Sequence, residues 1–209
     1  MPIADYNGNT FVAFTDISGF KELMKKDTDA LEAIRYFYQT GFNVLLDSEN
    51  VEGFFVSDCG ILFARNGNNN EKLRAILNTL KRINERLILR NYMLTTSIAF
   101  GHFDYQGKIE FQGIEKNPIY GGAYVQAFLD NEMGKPRIQP GQCRLMKKNL
   151  PEIDRDNFPL LVKRGKDNQH LYFYWNLSNT NQIEEFERKY RDSYSLKYSG
   201  MINALKSNE

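Results

Sequence analysis

Two aspartates with the character of metal ligands stand in the first third of the chain. Asp16 follows the β-prone apolar run 10–15, and Asp58 lies between two strand-like runs, 51–56 and 60–64, that form a tight hairpin. If the first strand and this hairpin are neighbours in one sheet, both carboxylates converge at the same end of it. Paired carboxylates with open positions suit Mg²⁺ or Mn²⁺, which bind a few carboxylates together with substrate phosphates.

The loop after the first aspartate adds a second feature of phosphate chemistry. It consists of Ile17, Ser18, Gly19 and Phe20 and leads into a helix. Backbone N–H groups in such a loop can face a triphosphate, which makes Ser18, Gly19 and Phe20 predicted substrate contacts. Two ions beside the loop can activate an attacking oxygen and stabilise the leaving one. The alternative is structural, with the first aspartate capping the helix and the second filling a turn, and spacing alone does not separate the two interpretations.

The composition is that of one ordinary globular domain in a reducing compartment. The 209 residues carry 27 Lys and Arg against 26 Asp and Glu, a net charge of +1, which gives no sign of a nucleic-acid or membrane surface. Two cysteines cannot build a disulfide framework, and two histidines are too few for most zinc sites. The apolar stretches are too short for a membrane span, and the N-terminus lacks the pattern of a secretory signal. We therefore expect a cytoplasmic protein without nucleic-acid or membrane partners.

The elements that must position the aspartates alternate between strands and helices. A first helix is expected up to about residue 47, with Asp29 and Glu32 as a capping pair. A second amphipathic helix follows the hairpin, and a strand then covers residues 93–100. This βαββαβ order predicts an α+β fold with a ferredoxin-like core. The predicted inner faces comprise Leu31, Ile34, Tyr38, Phe42 and Leu45 in the first helix, and Leu73, Leu77, Leu80, Ile83 and Leu87 in the second.

Further elements extend this core towards the C-terminus. In chain order they are a turn at 104–107, a strand over 108–112, a third helix over 121–133, a short strand around Arg137, a strand over 170–175 and a charged, helix-prone stretch over 182–206. The last of these is interpreted as a solvated or dimer-covering element.

Four segments resemble, in order, the motifs of class III nucleotidyl cyclases. Residues 14–20 (FTDISGF) are similar to the first metal-binding motif, and residues 56–60 (VSDCG) to the second, with a serine where a glycine is usual. Residues 97–103 (SIAFGHF) resemble the strand before the family's dimerisation hairpin. Residues 119–125 (IYGGAYV) resemble the start of its tryptophan–glycine–asparagine helix. The match covers roughly residues 11–144, and the ordered set is more specific than any single motif.

The resemblance implies an α+β fold of the class III cyclase type with appended strands and a C-terminal helix. It also implies a homodimer with active sites at its interface, where Asp16, Asp58 and the backbone carbonyl of Ile17 hold two divalent metal ions, Mn²⁺ or Mg²⁺. The ribose 3′-hydroxyl of a nucleoside triphosphate would attack the α-phosphate and give a 3′,5′-cyclic nucleotide and pyrophosphate. The catalytic domain would span residues 1–180, with 181–209 as a helical extension of it.

The base-reading positions depart from the family's pattern. Adenylate cyclases place a lysine where this chain has Phe54, and an aspartate or threonine where it has Pro118. Neither side chain can hydrogen-bond a purine edge, whereas Phe54 could stack on a base and shorten the pocket for a pyrimidine. The chain thus resembles the short pyrimidine cyclases of bacterial Pycsar antiphage systems, with UTP favoured over CTP and the product acting on a cyclic-nucleotide-responsive effector. Alternatively, Phe54 lies in the core, since the neighbouring Phe55 must point to the opposite face.

The transition-state positions depart as well. The family's asparagine and arginine correspond to Val125 and Leu129, which cannot stabilise charge on the α-phosphate. A shift of one residue does not help, because it places Asp130 at the arginine position. Basic residues beyond the helix are candidate replacements, although ordinary solvated charge is the alternative for each. They are Lys135, Arg137, Lys147 and Lys148.

Two other functions compete with an active cyclase. A catalytically silent cyclase-fold protein would bind a nucleotide, or only a partner, through the same dimer surface, and the apolar residues at 125 and 129 favour it. A polymerase-type palm domain shares the core and the paired carboxylates, but this hairpin lacks the adjacent acidic pair that such palms usually carry. The retained aspartates favour an active cyclase.

Overall fold

The computed structural model describes residues 3–106, 109–111, 114–116, 118–193 and 197–206. Its strands are β1 (Tyr6–Ile17), β2 (Val51–Val56), β3 (Cys59–Ala64), β4 (Leu94–Tyr105), β5 (Ile109–Phe111), β6 (Ile114–Lys116), β7 (Ile119–Tyr120), β8 (Cys143–Met146), β9 (Leu161–Val162) and β10 (His170–Phe173). Its helices are α1 (Phe20–Leu23), α2 (Asp27–Leu46), α3 (Asn69–Ile88), α4 (Gly122–Met133), α5 (Ile183–Ser193) and α6 (Lys197–Lys206). None of the helices in these ranges is long and apolar enough to cross a bilayer.

The central sheet is built around β1. This strand pairs antiparallel with β3 on one side and, along its whole length, with β4 on the other. The sheet order β2-β3-β1-β4 continues into β8, β10 and β9, and β7 pairs with the end of β4. The first four of these strands, together with α2 and α3, are the predicted βαββαβ unit, so the α+β fold with a ferredoxin-like core and appended strands is confirmed.

Alternate residues of β1 face two separate apolar layers, as the pleat of a strand requires. Phe11 points into the larger cluster, to which α2 and α3 contribute. Phe14 points to the opposite face, where α4 contributes Ala123 and Ala127. The side chain of Asp16 shares the face of Phe14, because the two residues are two positions apart on one strand. The second face is therefore the one that carries the candidate site.

The inner face of helix α2 agrees with the predicted one only in part, since Ile34, Tyr38 and Leu45 pack against the core. Leu31 and Phe42 are 50% and 58% exposed, whereas the buried side includes small residues such as Ala33 and Gly41. Phe55 of β2 fills the space beside Gly41, where an added Cβ would lie 2.0 Å from its ring. The helix packs closely through its small residues, and a pattern of large apolar residues alone misses that surface.

The start of α2 also differs from the prediction. Lys26 is its N-cap and no side chain caps it, so the expected Asp29–Glu32 capping pair is wrong. A capping box does open α3, where Asn68 Oδ1 accepts from the Glu71 backbone N at 3.0 Å and Glu71 Oε2 accepts from the Asn68 backbone N at 2.8 Å. The predicted inner face of α3 is confirmed, since all five of its leucine and isoleucine residues named above are buried.

The C-terminal half departs from prediction in two places. No regular element forms around Arg137, and the next strand begins at Cys143. The intervening backbone is instead held by single bonds, such as that from the Gly141 N to the Leu94 carbonyl at 2.8 Å. The charged C-terminal stretch contains two helices, α5 and α6, rather than one. The strand expected over 108–112 lies partly outside the described residues, and β5 covers its centre.

Candidate active site

Asp16 and Asp58 are brought together by the pairing of β1 with β3. Asp16 lies opposite Cys59, the first residue of β3, in this register. Asp58 is the second residue of the two-residue turn that joins β2 to β3. Ser57, the other turn residue, has a φ of 56°, which is a left-handed conformation that glycine adopts more easily. The Ile17 backbone N donates to the Asp58 carbonyl at 3.0 Å. The predicted convergence of the two carboxylates at one end of the sheet is therefore confirmed.

The carboxylates and the Cys59 thiol form a compact group of donors. One ligand atom from each of Asp16, Asp58 and Cys59 can be chosen so that all lie within 4.8 Å of one another. The Cys59 thiol donates to Asp16 Oδ1 at 3.3 Å and lies 3.9 Å from Asp58 Oδ1. Two converging carboxylates are the hard oxygen ligands that Mg²⁺ and Mn²⁺ take in proteins, so this donor set fits such an ion.

The electrostatics of this group also favour a bound cation. Burial, followed by the charge of Asp58, raises the pKa of Asp16 to about 7, and Glu132 adds to the effect while the Cys59 thiol opposes it. Burial and the same carboxylates raise the pKa of the Cys59 thiol as well. A divalent cation between the carboxylates would reverse both effects, because it replaces repulsion by attraction.

The raised pKa of Asp16 predicts a stability difference between wild-type and Asp16→Asn protein without metal. Between pH 4 and 7 the folded state keeps a proton on Asp16 that the unfolded state has lost, so wild-type stability falls as the pH rises through this window. In EDTA, Asp16→Asn should raise the melting temperature at pH 8 by at least about 2–4 °C, the shift that 1 kcal/mol gives in a domain of this size. At pH 4 the gain should vanish. Thermal unfolding at both pH values measures it, and an equal gain at both would contradict the assignment.

The aspartates open into a cleft of about 700 Å³. The loop after β1 forms one wall, the C-terminal end of α4 another, and the segment that follows α4 a third. Ser18, in the loop after β1, is buried, and within the described part of the chain its Oγ has no hydrogen-bond partner. The lining residues are Phe14, Asp16, Ile17, Ser18, Gly19, Phe20, Lys21, Asp58, Cys59, Thr95, Phe128, Asn131, Glu132, Arg137, Ile138, Gln139 and Pro140.

The predicted phosphate loop is thus placed beside the aspartates, whereas Phe54 is not. Phe54 lies opposite Ile61 in the β2–β3 register, on the same sheet face as Asp16 but outside the residues that line the cleft. It is half-buried, and its ring centroid lies 5.8 Å from that of Tyr105. Phe55 points to the opposite face and packs against Phe37, with the two ring centroids 4.9 Å apart.

Pro118, the second base-position residue, also lies outside the cleft. Its carbonyl accepts a hydrogen bond from the Gln106 backbone N at 3.1 Å, just before β7. One chain therefore assembles the predicted metal and phosphate part of the site in one cleft. The two predicted base positions of the same chain lie outside the residues that line this cleft.

The α4 positions of the family's transition-state residues face outward. Val125 and Leu129 are 46% and 41% exposed, and neither lines the cleft. Of the four basic candidates beyond the helix, Arg137 lines the cleft. Lys147 donates to the Asn168 carbonyl at 2.8 Å outside it, and Lys135 and Lys148 are exposed elsewhere. The tertiary structure thus places one of the four candidates in the cleft.

Sequence inspection missed the residues that the end of α4 brings to the cleft. Asn131 accepts from Thr95 Oγ1 at 3.2 Å, and both line the cleft together with Glu132. It also missed the buried network behind them, in which Arg144 and His170 both bind Asp130. A helical projection of α4 could have indicated Asn131, but nothing in the local sequence links three residues this far apart.

The fold is similar to that of solved adenylyl and guanylyl cyclase domains. The adenylyl cyclase CyaB from P. aeruginosa matches it with a TM-score of 0.58 and 12% sequence identity, over 81% of this chain and 94% of that one. The guanylate cyclase domain of RhGC from Catenaria anguillulae, solved in complex with GTP, matches with a TM-score of 0.59 and 12% sequence identity, over 81% of this chain and 97% of that one. The non-canonical dimeric guanylyl cyclase domain of a RhoGC fusion protein from Blastocladiella emersonii matches with a TM-score of 0.59 and 10% sequence identity, over 81% of this chain and 97% of that one.

These likenesses are structural. No protein-family model and no curated protein matches the sequence. At such low identity the common property is the fold, and the activity has to be argued from the site itself.

Proposed function

We propose that this chain is a nucleotidyl cyclase that converts a pyrimidine nucleoside triphosphate, UTP ahead of CTP, to a 3′,5′-cyclic nucleotide and pyrophosphate. The observation that carries the proposal is the convergence of Asp16 and Asp58 on one cleft at the end of β1, within a cyclase fold. The same cleft contains the loop from Ile17 to Phe20, which fits the resemblance of both segments to cyclase motifs.

Each part of the cleft has a role in this reaction. Asp16, Asp58 and the Ile17 carbonyl would hold two divalent ions, Mn²⁺ or Mg²⁺, which supply activation of the ribose 3′-hydroxyl and charge neutralisation at the phosphates. The backbone of Ser18, Gly19 and Phe20 would contact the triphosphate. A bond forms between the 3′-oxygen and the α-phosphorus, the bond from that phosphorus to the β-phosphate bridge breaks, and pyrophosphate and a proton leave.

The direct test is incubation of the purified chain with each of the four triphosphates and Mn²⁺. We expect cyclic UMP or cyclic CMP together with an equal amount of pyrophosphate, detected by chromatography and mass spectrometry. Linear oligonucleotides as the product would point to a palm-type polymerase instead. Absence of any product from all four substrates would overturn the proposal.

The choice of a pyrimidine is supported by the two base positions. Phe54 offers a ring and no hydrogen-bonding group, and Pro118 offers no side-chain donor or acceptor. Phe54 also lies on the site face of the sheet rather than under α2 and α3, where Phe55 packs. A base held by stacking and by backbone groups needs no purine-specific side chain.

We further propose that the cyclic nucleotide is a second messenger in bacterial antiphage defence, received by a separate cyclic-nucleotide-responsive effector. The resemblance to the short pyrimidine cyclases of Pycsar systems supports this role. Phage plating on bacteria that carry the gene with its neighbours tests it. Protection that disappears with Asp58→Asn supports the role, and equal protection by that variant contradicts it.

A homodimer with two equivalent sites is supported by the outer face of α4. Val125, Leu129 and Met133 recur every four residues and are 46%, 41% and 69% exposed, which makes an apolar stripe along the helix. Solved structures of the guanylyl cyclase domain from Blastocladiella emersonii, which has the same fold, include a non-canonical dimer and a monomer, so the support for a dimer here is the stripe itself. Two copies of this chain could bury the stripe across a two-fold axis.

Leu129→Glu is therefore expected to give monomers, because it places a charge in the buried contact. Light scattering and turnover measure the outcome, with activity expected to fall together with dimerisation. Leu89→Glu is the matched control, since Leu89 is 61% exposed at the end of α3. A wild-type chain that is monomeric at high concentration and fully active would contradict the dimer.

One observation favours a second function. Exposed apolar side chains at the two transition-state positions of α4 suit a catalytically silent cyclase-fold protein that binds a nucleotide or a partner. Nucleotide binding by calorimetry without turnover of any triphosphate would support this alternative over the active enzyme.

A further inference from the structure

Arg137 is a cation in the cleft that the cyclase motifs do not account for. It lies in the segment between α4 and β8 and lines the same cleft as Asp16 and Asp58. Within the described ranges its guanidinium forms no ion pair or hydrogen bond with the protein. An exposed arginine without a partner, beside a site for anions and metal ions, is available to bind phosphate oxygens in a bidentate manner.

The backbone around Arg137 is anchored on both sides. The preceding residue, Pro136, has its carbonyl bound by the Arg144 guanidinium. The following residue, Ile138, is buried, and the Gln139 backbone N donates to Gln142 Oε1 at 2.9 Å. A side chain that projects from such a fixed segment loses less conformational entropy on binding than one on a free loop.

The anchor itself is a fully buried ion pair. Arg144 is 0% exposed, and it donates to both carboxylate oxygens of Asp130 at 2.8 and 2.9 Å. Ser97 Oγ donates to the same carboxylate at 2.7 Å, and His170 Nε2 forms a hydrogen bond with it at 2.9 Å. Burial alone would raise the pKa of Asp130, but these partners outweigh it and lower the pKa below its ordinary value. The pair is therefore charged and satisfied, and it fixes the segment that carries Arg137.

We propose that Arg137 binds the phosphates of the substrate in cis, from the chain whose aspartates hold the metal ions, and stabilises the charge that develops as pyrophosphate leaves. This inference rests on the proposed cyclase function and names the residue that takes over charge stabilisation. The α4 stripe cannot supply that charge, because Val125 and Leu129 are apolar. Lys21, which also lines the cleft, is a second cation but has the compact charge of an ammonium, without the planar fork of Arg137.

The first test measures binding without turnover. Calorimetry with inorganic tripolyphosphate and Mn²⁺ should show affinity at least about 10-fold lower for Arg137→Ala, since one charge-assisted contact is lost. Arg137→Lys should recover part of that affinity. Lys135→Ala is the matched control, because it removes a similar charge two residues away and outside the cleft. Equal affinity of wild type and Arg137→Ala would overturn the proposal.

The second test separates cis from trans action. Asp58→Asn and Arg137→Ala chains, each inactive or nearly so, are coexpressed with different tags, and the mixed dimers are purified and assayed. If Arg137 acts in cis, both sites of a mixed dimer are defective and no activity returns. If it acts across the interface, one site in two is intact, and the purified mixed dimers recover about half of wild-type activity. That recovery would overturn the cis assignment.

Failure of this inference is distinguishable from failure of the proposed function. A wild-type chain that cyclises a triphosphate while Arg137→Ala keeps full kcat and full tripolyphosphate affinity would remove Arg137 and leave the cyclase assignment standing. A wild-type chain that turns over nothing would remove the cyclase assignment, whereas the tripolyphosphate experiment would still decide whether Arg137 binds phosphate.

Discussion

Replacing Asp16 or Asp58 with asparagine is expected to lower cyclase turnover by more than about 100-fold. Even the loss of a residue that only hydrogen-bonds to a metal ligand can lower activity by up to about 100-fold, and these two aspartates are the proposed ligands themselves. The reason is that each carboxylate supplies negative charge to the same ion site, and the two lie together with Cys59 within 4.8 Å. An amide keeps the shape but not the charge, so the fold should persist while the ions are lost. Turnover with saturating UTP and Mn²⁺ measures the effect.

Two controls make this result specific. Asp27→Asn removes a carboxylate from the exposed first turn of α2, outside the residues that line the cleft, and should leave turnover unchanged. Calorimetric titration with Mn²⁺ should show weaker ion binding for both site variants, and circular dichroism should show an intact fold. A site variant that keeps full turnover would remove that residue from the metal site.

Base choice is the second large effect that we expect. A purine edge whose donors and acceptors stay buried without partners costs ~1–3 kcal/mol for each group, or roughly 5- to 150-fold in kcat/KM. Phe54 and Pro118 offer no such partners, whereas a pyrimidine can be held by stacking and backbone groups. Competition assays should therefore show UTP or CTP converted well ahead of ATP and GTP. ATP or GTP as the best substrate would contradict the argument from these two positions.

The neighbouring phenylalanines provide a matched pair of variants for this prediction. Phe54→Ala should lower pyrimidine kcat/KM about 10-fold, because stacking on an aromatic ring contributes ~1–3 kcal/mol per base. Phe55→Ala should instead lower the melting temperature without a change in base preference, since Phe55 fills the space beside Gly41 and packs on Phe37. If Phe54→Ala leaves selectivity unchanged, the base is read elsewhere.

The sequence by itself determined the parts of this protein that depend on neighbours in the chain. The β2–β3 hairpin with Asp58 in its turn, the inner face of α3 and the extent of α4 all follow from local periodicity and turn chemistry. The order of these elements gave the core fold, and through it the meeting of Asp16 with Asp58. The position of these two residues was predictable because Asp16 lies near the end of β1 and Asp58 lies in the turn of the hairpin that pairs with β1.

Only the tertiary structure decided what depends on distant contacts. Gly41 carries no large side chain, so its packing against Phe55 is invisible to a count of apolar residues, and two residues predicted for the inner face of α2, Leu31 and Phe42, are exposed instead. The selection of Arg137 among four basic residues depends on a segment without regular structure. That segment is fixed by Arg144 and Asp130, fourteen positions apart, and His170 joins them from β10. Such buried polar contacts are set by sheet register and not by local propensity, because each partner reaches the other only after the strands have paired.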